Sequence, residues 1–291
     1  MTGPREWKLI DVLNEATRYL ESKSIENSRI NAELLMAKLL SVSRIELYLQ
    51  FDRPLNEKER EDYKILLKRR VSHEPLQYIL GDTEFMSLPF RLNRSVMIPR
   101  PETEIVVESV LNVVESDRSV KILDIGTGCG NIAISLAKYL TGSRVVGIDI
   151  SDKILAVARE NSRLNGVEER TSFVLADIKK RDFFDIIQGY FDVVVSNPPY
   201  ISIEEWRLLP REVRDYEPES ALCDQADGLS FYRIIAVLAG NLLKSGGGIF
   251  FEVGDNQAES VKDILRKAGY TGIKSEQDLN GIERVVCSIF K

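Results

Sequence analysis

From residue 120 to the C-terminus, short β-branched runs alternate with amphipathic helical ones, and this alternation restricts the possible folds more than any other feature. Residues 120–124, 144–149, 171–176, 191–196, 248–253 and 284–290 read as strands. Residues 132–140, 152–164, 227–243 and 256–268 place apolar side chains at helical spacing. A strand that returns through a helix must pair in parallel, and helices then cover both faces of the sheet. The expected architecture is α/β: a doubly wound, mostly parallel sheet.

The chain ahead of this region is patterned differently. Trp7, Ile10, Leu13, Thr17 and Leu20 recur at helical spacing, as do Ala32, Leu35, Met36, Leu39 and Leu40. Asn56 and Glu59 form a capping-box pair ahead of Tyr63, Leu66 and Leu67. A small bundle of four or five short helices is expected, with these stripes as its core. Phe85, Leu88, Phe90 and Leu92 then come at mostly two-residue spacing, which predicts a hairpin. Pro99, Arg100 and Pro101 punctuate its exit. Pro101 suits a first helical turn, Glu102 and Glu104 complement the helix dipole, and the helix continues through Val106, Val107, Val110 and Leu111.

Composition removes several classes of function. With 44% hydrophobic and 29% charged residues, the 291-residue chain is of globular composition, neither disordered nor fibrous. A net charge of −6 disfavours nucleic acid as the main partner, because Lys and Arg dominate phosphate affinity. The three cysteines, Cys129, Cys223 and Cys287, are isolated, so no disulfide framework or zinc site is expected. His73 is the only histidine. A histidine-based triad or metal site would depend on it alone, and its setting in Ser72-His73-Glu74-Pro75 reads as a hinge or surface position. No metal is expected. Residues 1–7 lack the apolar core of a signal peptide, and no run reaches the length of a membrane span. The expectation is a soluble, cytoplasmic protein.

Two motifs carry chemistry. Asp124-Ile125-Gly126-Thr127-Gly128-Cys129-Gly130 follows a strand and opens a helix, where glycines let the backbone turn tightly and approach a ligand. Asp149 ends the next strand, nineteen residues past Gly130, where a carboxylate can bind ribose hydroxyls. Asp177 ends the third strand; it can accept from an adenine amino group while Ile178 covers the ring face. A glycine turn that only serves packing and a solvated strand-end acid are the bland alternatives. The strands on either side of the loop, and the position of Asp177 at the carboxyl edge of the sheet, weigh against them.

The second motif, Ser196-Asn197-Pro198-Pro199-Tyr200, terminates the apolar run Val193-Val194-Val195. Asn197 offers an acceptor and donors, and the prolines fix φ and lack N–H groups. The Pro198 carbonyl is then free for a substrate, and Tyr200 supplies an aromatic face for a planar group. Two acceptors, Asn197 Oδ1 and the Pro198 carbonyl, suit an NH₂ group on an sp² carbon, in an amide or an amino-base. They turn its lone pair towards an electrophilic methyl, and such positioning supplies several kcal/mol. No general base is needed beforehand, because the alkylated nitrogen is itself acidic.

Together the glycine loop, Asp149 and Asn197 to Tyr200 resemble class I S-adenosylmethionine-dependent methyltransferases that act on amino or amide nitrogens. Further segments narrow the likeness to one subgroup, the peptide-chain release-factor glutamine methyltransferases. These are Glu74-Pro75-Leu76-Gln77-Tyr78-Ile79-Leu80-Gly81, Glu84-Phe85, and Ile98-Pro99-Arg100-Pro101-Glu102-Thr103-Glu104. Asp227-Gly228-Leu229, Glu252-Val253-Gly254 and Asp278-Leu279-Asn280-Gly281 also fit, so the likeness spans nearly the whole chain.

The resemblance implies a seven-stranded Rossmann-like sheet. It implies a helical substrate-recognition domain over 1–74, a hairpin linker over 75–100 and an S-adenosylmethionine-binding catalytic domain over 101–291. The implied substrate is the glutamine of the Gly-Gly-Gln tripeptide in class 1 release factors, methylated on its side-chain nitrogen, with S-adenosylhomocysteine as product. Gly126, Thr127, Gly128, Cys129, Gly130, Asp149, Ile178 and Asn197 would contact the cofactor; Asn197, Pro198, Pro199 and Tyr200 would contact the glutamine. A monomer is expected. Cys129 stands where Ser or Thr is commoner, which a loop acting through its backbone tolerates, and Asn31 stands where Asp is commoner. The rival readings are an amino-methyltransferase of adenine or guanine in nucleic acid, a ribosomal-protein glutamine methyltransferase, and a non-catalytic module on the same scaffold. The basic run Lys64 to Arg70 reads as a solvated helix face or a contact for an acidic partner. Arg100 either shapes the substrate mouth or pairs with Glu102 or Glu104.

Overall fold

The computed structural model describes residues 7–289, and the chain divides into two compact units. The first ends at Gly81 and includes residues 211–216; the second holds 82–210 and the chain from Glu217 onwards.

The first unit contains α1 (Leu9–Glu21), α2 (Ser28–Leu40), α3 (Arg44–Leu49), α4 (Glu57–Val71) and α5 (Leu76–Leu80). The buried face of α1 is Leu9, Leu13, Ala16 and Leu20, not the stripe through Trp7 and Ile10. The helix starts later than the pattern predicts because the Trp7 carbonyl accepts from Leu55 N (2.9 Å), beside a bridge between Lys8 and Pro54. Ala32, Leu35 and Met36 are fully buried, as the spacing in α2 predicts. Asn56 and Glu59 form the capping box of α4. Tyr63 is buried and donates to the Ala32 carbonyl at 2.8 Å. Burial alone would raise the Glu33 carboxyl, but hydrogen bonds from Arg44, Tyr48 and Arg29 hold it below the usual range.

Asn31 is well partnered. Its Oδ1 accepts from Arg70 Nε (2.8 Å), and its Nδ2 donates to the Glu26 and Asn27 carbonyls. Arg70 is buried and also pairs with Glu212 of the 211–216 segment at 2.9 Å, and Arg69 makes a two-pronged bond to Glu74. Half of the basic run is therefore consumed within the unit, while Lys64 and Lys68 lie exposed. His73 closes α4 in a left-handed conformation (φ +69°), its N donating to the Arg70 carbonyl.

The second unit opens with the antiparallel hairpin of β1 (Asp82–Phe85) and β2 (Leu88–Arg91). A 3₁₀ turn, Pro101–Thr103, leads into α6 (Glu104–Leu111). Then come β3 (Val120–Ile125), α7 (Asn131–Tyr139), β4 (Ser143–Asp149), α8 (Asp152–Leu164), β5 (Thr171–Leu175), α9 (Phe183–Ile186) and β6 (Phe191–Ser196). Beyond β6 the chain forms α10 (Ile203–Trp206), α11 (Arg211–Arg214, part of the first unit), α12 (Glu219–Leu222) and α13 (Ser230–Leu242). It ends with β7 (Leu243–Glu252), α14 (Ala258–Lys267), β8 (Thr271–Gln277) and β9 (Glu283–Ile289). Phe290, at the end of the last expected strand, and residues 1–6 lie outside the described residues.

The seven strands run in the order β5-β4-β3-β6-β7-β9-β8, with only β9 antiparallel to its neighbours. The central strands are buried on both faces, as a doubly wound sheet requires: Ile122, Leu123, Val194 and Val195 are all solvent-inaccessible. Leu123, Ile125, Val194 and Phe251 share a core with Tyr232, Ile235 and Ala236 of α13 and with Val261 and Leu265 of α14.

Three local patterns differ from the sequence expectation. The seventh strand, β8, carries Gly272, Lys274 and Glu276 and is only half-buried; an edge strand needs charge more than apolar alternation. Helix α13 begins three residues later than expected. Gly228 sits at φ +79°, and Asp224 Oδ2 accepts from Ser230 N (3.1 Å) at the true helix start. Strand β7 begins at Leu243 and runs to Glu252, ahead of the predicted start.

Candidate active site

Strand register builds the site. Ile125 of β3 pairs with Ser196 of β6, and Ser196 Oγ donates to the Ile125 carbonyl at 2.7 Å. On its other edge, β3 pairs with β4, Ile125 opposite Ile148. The chain leaves β3 in one direction for β4 and reaches β6 in the other, so the crevice at their carboxyl ends is a topological switch point. The glycine loop and the Asn-Pro-Pro-Tyr segment emerge there side by side.

The loop is fixed from below. Gly126 N and Thr127 N both donate to the Ile148 carbonyl (3.0 and 2.9 Å). Thr127 Oγ1 donates to Asp124 Oδ2 at 2.6 Å, while Asp124 Oδ1 is buried without a partner. Burial pushes the Asp124 carboxyl up to about 7. Gly130 enters α7 at φ +86°, and a Cβ there would lie 2.8 Å from Ile134 Cδ1, so the position needs glycine on two counts. At the end of β4, Asp149 accepts from Gly128 N (3.0 Å, Oδ2) and Ile150 N (2.8 Å, Oδ1). Desolvation raises its pKa against these two bonds. Each carboxylate oxygen retains a further lone pair for a ligand.

A cavity of about 340 Å³ lies above these groups. Gly126, Thr127, Gly128, Cys129 and Asp149 line it on one side, Asp177 and Ile178 at the end of β5, and Asn197, Pro198 and Pro199 on the other. Gly130 lies behind this surface, under α7. Asp177 Oδ1 accepts from Lys179 N (2.9 Å) in the turn after β5. The walls are largely apolar: Ile150 is exposed on one side, and Phe231 of α13, with Lys179 Nζ 4.2 Å from its ring centre, closes another. This combination of apolar walls, an acid at the end of β4 and a backbone-lined turn fits a nucleoside with a polar tail. Among the described residues, no cluster of His, Cys, Asp and Glu is placed to hold a metal, and no helix is long and apolar enough to cross a membrane.

Asn197 Nδ2 donates to Thr103 Oγ1 at 3.2 Å, and in this orientation Oδ1 remains as the acceptor end of the amide. Pro198 is buried beside it. Tyr200 does not line the cavity. Its ring is mostly buried, its hydroxyl donates to Glu252 Oε1 (3.2 Å), and its carbonyl accepts from Gln257 Nε2 (2.9 Å). Burial, together with the neighbouring Glu252 carboxyl, raises the phenol well above its usual range. Arg100 pairs with neither Glu102 nor Glu104: it binds Glu217 at 2.5 Å, and the same carboxylate accepts from Ile98 N (3.1 Å).

Sequence reasoning missed several contributors. Thr103 lies inside the quoted Pro-Arg-Pro-Glu-Thr-Glu segment and Glu252 inside Glu-Val-Gly, so both were visible as motif members but without a role. Asn161 carried no signal, because a polar residue on a helix ordinarily faces water. Here it is fully buried in α8 and bonds to Arg91 N, the Arg91 carbonyl and the Cys129 carbonyl.

Two domain families match the chain. One, described as "PrmC N-terminal domain", covers residues 11–81, and one described as "Methyltransferase domain" covers residues 116–284. A "Release factor glutamine methyltransferase" of Chlorobaculum tepidum is 39% identical, over 98% of this chain and 98% of its own length. Another of the same name, from Geobacter sulfurreducens, is 40% identical over 97% of each chain. Among solved structures, a methyltransferase from Pyrococcus furiosus superposes with a TM-score of 0.52 at 16% identity, over 79% of this chain and 97% of that one, a likeness of fold.

Proposed function

Since the chain belongs to the release factor glutamine methyltransferases, we propose that it transfers a methyl group from S-adenosylmethionine to the side-chain amide nitrogen of the glutamine in the Gly-Gly-Gln motif of class 1 release factors. S-adenosylhomocysteine is the second product. The observation that carries this reading is the pairing of Ile125 with Ser196, which brings the glycine loop and Asn197 to one cavity.

The loop from Gly126 to Cys129 would hold the donor's polar tail, with Cys129 contributing backbone only and Gly130 setting the turn into α7. Asp149 would accept from the ribose hydroxyls and Asp177 from the adenine amino group, while Ile150 and Ile178 would cover the ring. Bound there, the donor supplies an electrophilic methyl on a sulfonium. Asn197 Oδ1 and the Pro198 carbonyl accept the two N–H bonds of the substrate amide, holding the nitrogen and its lone pair towards that methyl. Pro199 keeps the segment rigid. Tyr200 supports this segment from behind through Glu252 and Gln257, a role that fits its buried hydroxyl better than stacking on the substrate does. The alkylated nitrogen is strongly acidic and gives up its proton to water.

In this reading residues 1–74 recognise the release factor, 75–100 link, and 101–291 bind the donor and catalyse, in a cytoplasmic monomer. Mass spectrometry of a release factor after incubation with S-adenosylmethionine tests it: one added methyl on the Gly-Gly-Gln glutamine is expected. Transfer only to nucleic acid or to a ribosomal protein overturns the assignment.

A further inference from the structure

The buried carboxylate of Glu217 closes a ring of hydrogen bonds around Ile98. Its Oε2 accepts from Ile98 N (3.1 Å), its Oε1 accepts from Arg100 Nη2 (2.5 Å), and Arg100 Nη1 donates to the Ile98 carbonyl (3.0 Å). The Arg100 carbonyl in turn accepts from Thr103 N at 3.1 Å across the 3₁₀ turn, and Thr103 Oγ1 is the partner of Asn197 Nδ2. We propose that Glu217 is a positioning residue: through Arg100 it sets the turn that carries Thr103, and with it the place at which the Asn197 amide meets the substrate. The inference rests on the substrate reading above, which gives Asn197 the amide of the acceptor.

Pro99 and Pro101 flank Arg100, so neither neighbour has an N–H with which to tether this stretch. Side chains do it instead. The Glu217–Arg100 pair satisfies both backbone groups of Ile98 and holds the stretch that leads into the 3₁₀ turn. Two donors converge on Glu217, and a carboxylate offers an acceptor to each. An amide in its place would face one of the two donors with its own NH₂, and the ring around Ile98 would open.

The segment that begins with Glu217 also holds the Asn-Pro-Pro-Tyr stretch from its far end. Beyond Glu217, α12 leads to Leu222, whose carbonyl accepts from Ile201 N (2.9 Å), and Asp224 N donates to the Ile201 carbonyl (3.0 Å). Ile201 directly follows Tyr200. Residues 217–224 therefore tie both ends of the substrate-facing stretch: at Ile201 through backbone, and at Asn197 through Arg100 and Thr103. Between the two ties Ser220 and Ala221 line the cavity, as do Met97 ahead of Ile98 and Thr103 beyond Arg100. Asp149 and Asp177, on the donor side, are held by backbone bonds of their own, so losing Glu217 disturbs the acceptor side first.

A double-mutant cycle on the full-length protein, at saturating S-adenosylmethionine and release factor, separates positioning from bracing. E217Q should lower kcat about tenfold in an otherwise wild-type chain, since a small misplacement of a positioning group is enough for that. In the N197A background, where no amide is left to place, the same substitution should cost less than about twofold. R100K keeps the charge but offers one nitrogen where the guanidinium offers two. It should behave in the same way, and it decides the matter should E217Q fail to fold. The Asn197 side-chain NH₂ signals of ¹⁵N-labelled, cofactor-free protein, assigned by their loss in N197A, should move in both single variants. Equal losses of kcat in the two backgrounds, or Asn197 signals that stay in place in both variants, make Glu217 a structural brace only and overturn the proposal. A wild-type protein that transfers no methyl to a release factor overturns the substrate reading instead, while the Asn197 signals still decide the positioning.

Discussion

Asn197 Nδ2 reaches Thr103 Oγ1 at 3.2 Å across ninety-four residues of sequence, tying the end of β6 to the 3₁₀ turn that precedes α6. The bond does more than fasten two segments. An asparagine amide has two chemically opposite ends, and engaging the donor end in the protein leaves the acceptor end for a ligand.

Asn197→Ala removes that acceptor and is expected to lower the transfer rate about 10²–10³-fold, the usual loss when one preorganised polar contact to the reacting group goes. Stability should fall by no more than about 1.5 kcal/mol, since a single half-buried hydrogen bond is lost. Single-turnover transfer and a thermal melt measured on the same preparation separate the two effects. A rate within threefold of wild type removes Asn197 from the chemistry.

Gly130 is the loop glycine with the least freedom to change. Gly130→Ala imposes a side chain at φ +86° and sets its Cβ 2.8 Å from Ile134 Cδ1. The backbone strain alone costs on the order of 1–3 kcal/mol, and the repacking of Ile134 adds to it. Denaturant unfolding should register that loss, and donor affinity should fall with it as the loop shifts. Equal stability for the alanine variant means that the loop relaxes without cost.

Asp149 supplies both a loop anchor and the proposed ribose contact. Asp149→Asn keeps the shape but loses the charge and turns one acceptor into a donor facing Gly128 N or Ile150 N. Hydrogen bonds to charged groups contribute about 1.5–3 kcal/mol, so the Kd for S-adenosylmethionine should rise roughly 10- to 100-fold. Calorimetric titration checks this directly, and an unchanged Kd places the ribose elsewhere.

Stability should carry a pH signature of the buried acid beneath the loop. The Asp124 carboxyl moves from 3.8 up to about 7 through burial, with Thr127 pulling the other way. Its folded pKa exceeds its unfolded one, so the folded state holds the extra proton between the two values. The stability from this group is therefore full in acid and lost as pH rises through about 7. Asp124→Asn has nothing to ionise. From pH ~5 to ~8 the unfolding free energy of wild type should drop relative to D124N by on the order of 2 kcal/mol. Parallel curves for the two proteins mean that Asp124 stays charged throughout.

What the chain declares locally and what it hides follow from which interactions are short-range. The glycine loop, Asp149 and Asn197 to Pro199 are legible because each sits at the end of an apolar strand, and strand ends on one edge of a parallel sheet converge. Strand β8 is not legible, because an edge strand with Lys274 and Glu276 lacks the alternation that marks a buried one. Thr103, Glu217 and Glu252 have roles only once distant segments meet. Arg100 illustrates the point: its near neighbours Glu102 and Glu104 are the obvious partners in sequence, yet the pair forms with Glu217. Tyr200 shows the converse, an aromatic with an evident stacking use whose hydroxyl is taken by a buried acid.

Asn161 offers the most demanding test, since nothing in its sequence context marks it. From α8 it accepts from Arg91 N (2.6 Å) and donates to the Arg91 carbonyl (3.1 Å), closing the end of the hairpin strand β2 onto the helix as a further backbone would. The same Nδ2 reaches the Cys129 carbonyl at 2.9 Å, so one amide braces both the hairpin and the glycine loop. Asn161→Ala strands these three backbone groups in a dry setting, each costing about 1–3 kcal/mol if it finds no water, so a loss of roughly 3 kcal/mol or more is expected. Asn161→Asp keeps the acceptor for Arg91 N but sets carboxylate oxygen against two carbonyls, and should be at least as damaging. The distinguishing readout is hydrogen exchange. Protection of the Arg91 amide and of amides in the glycine loop should fall together in N161A, because one side chain holds both. Loss of protection in the hairpin alone means that the loop is held without Asn161.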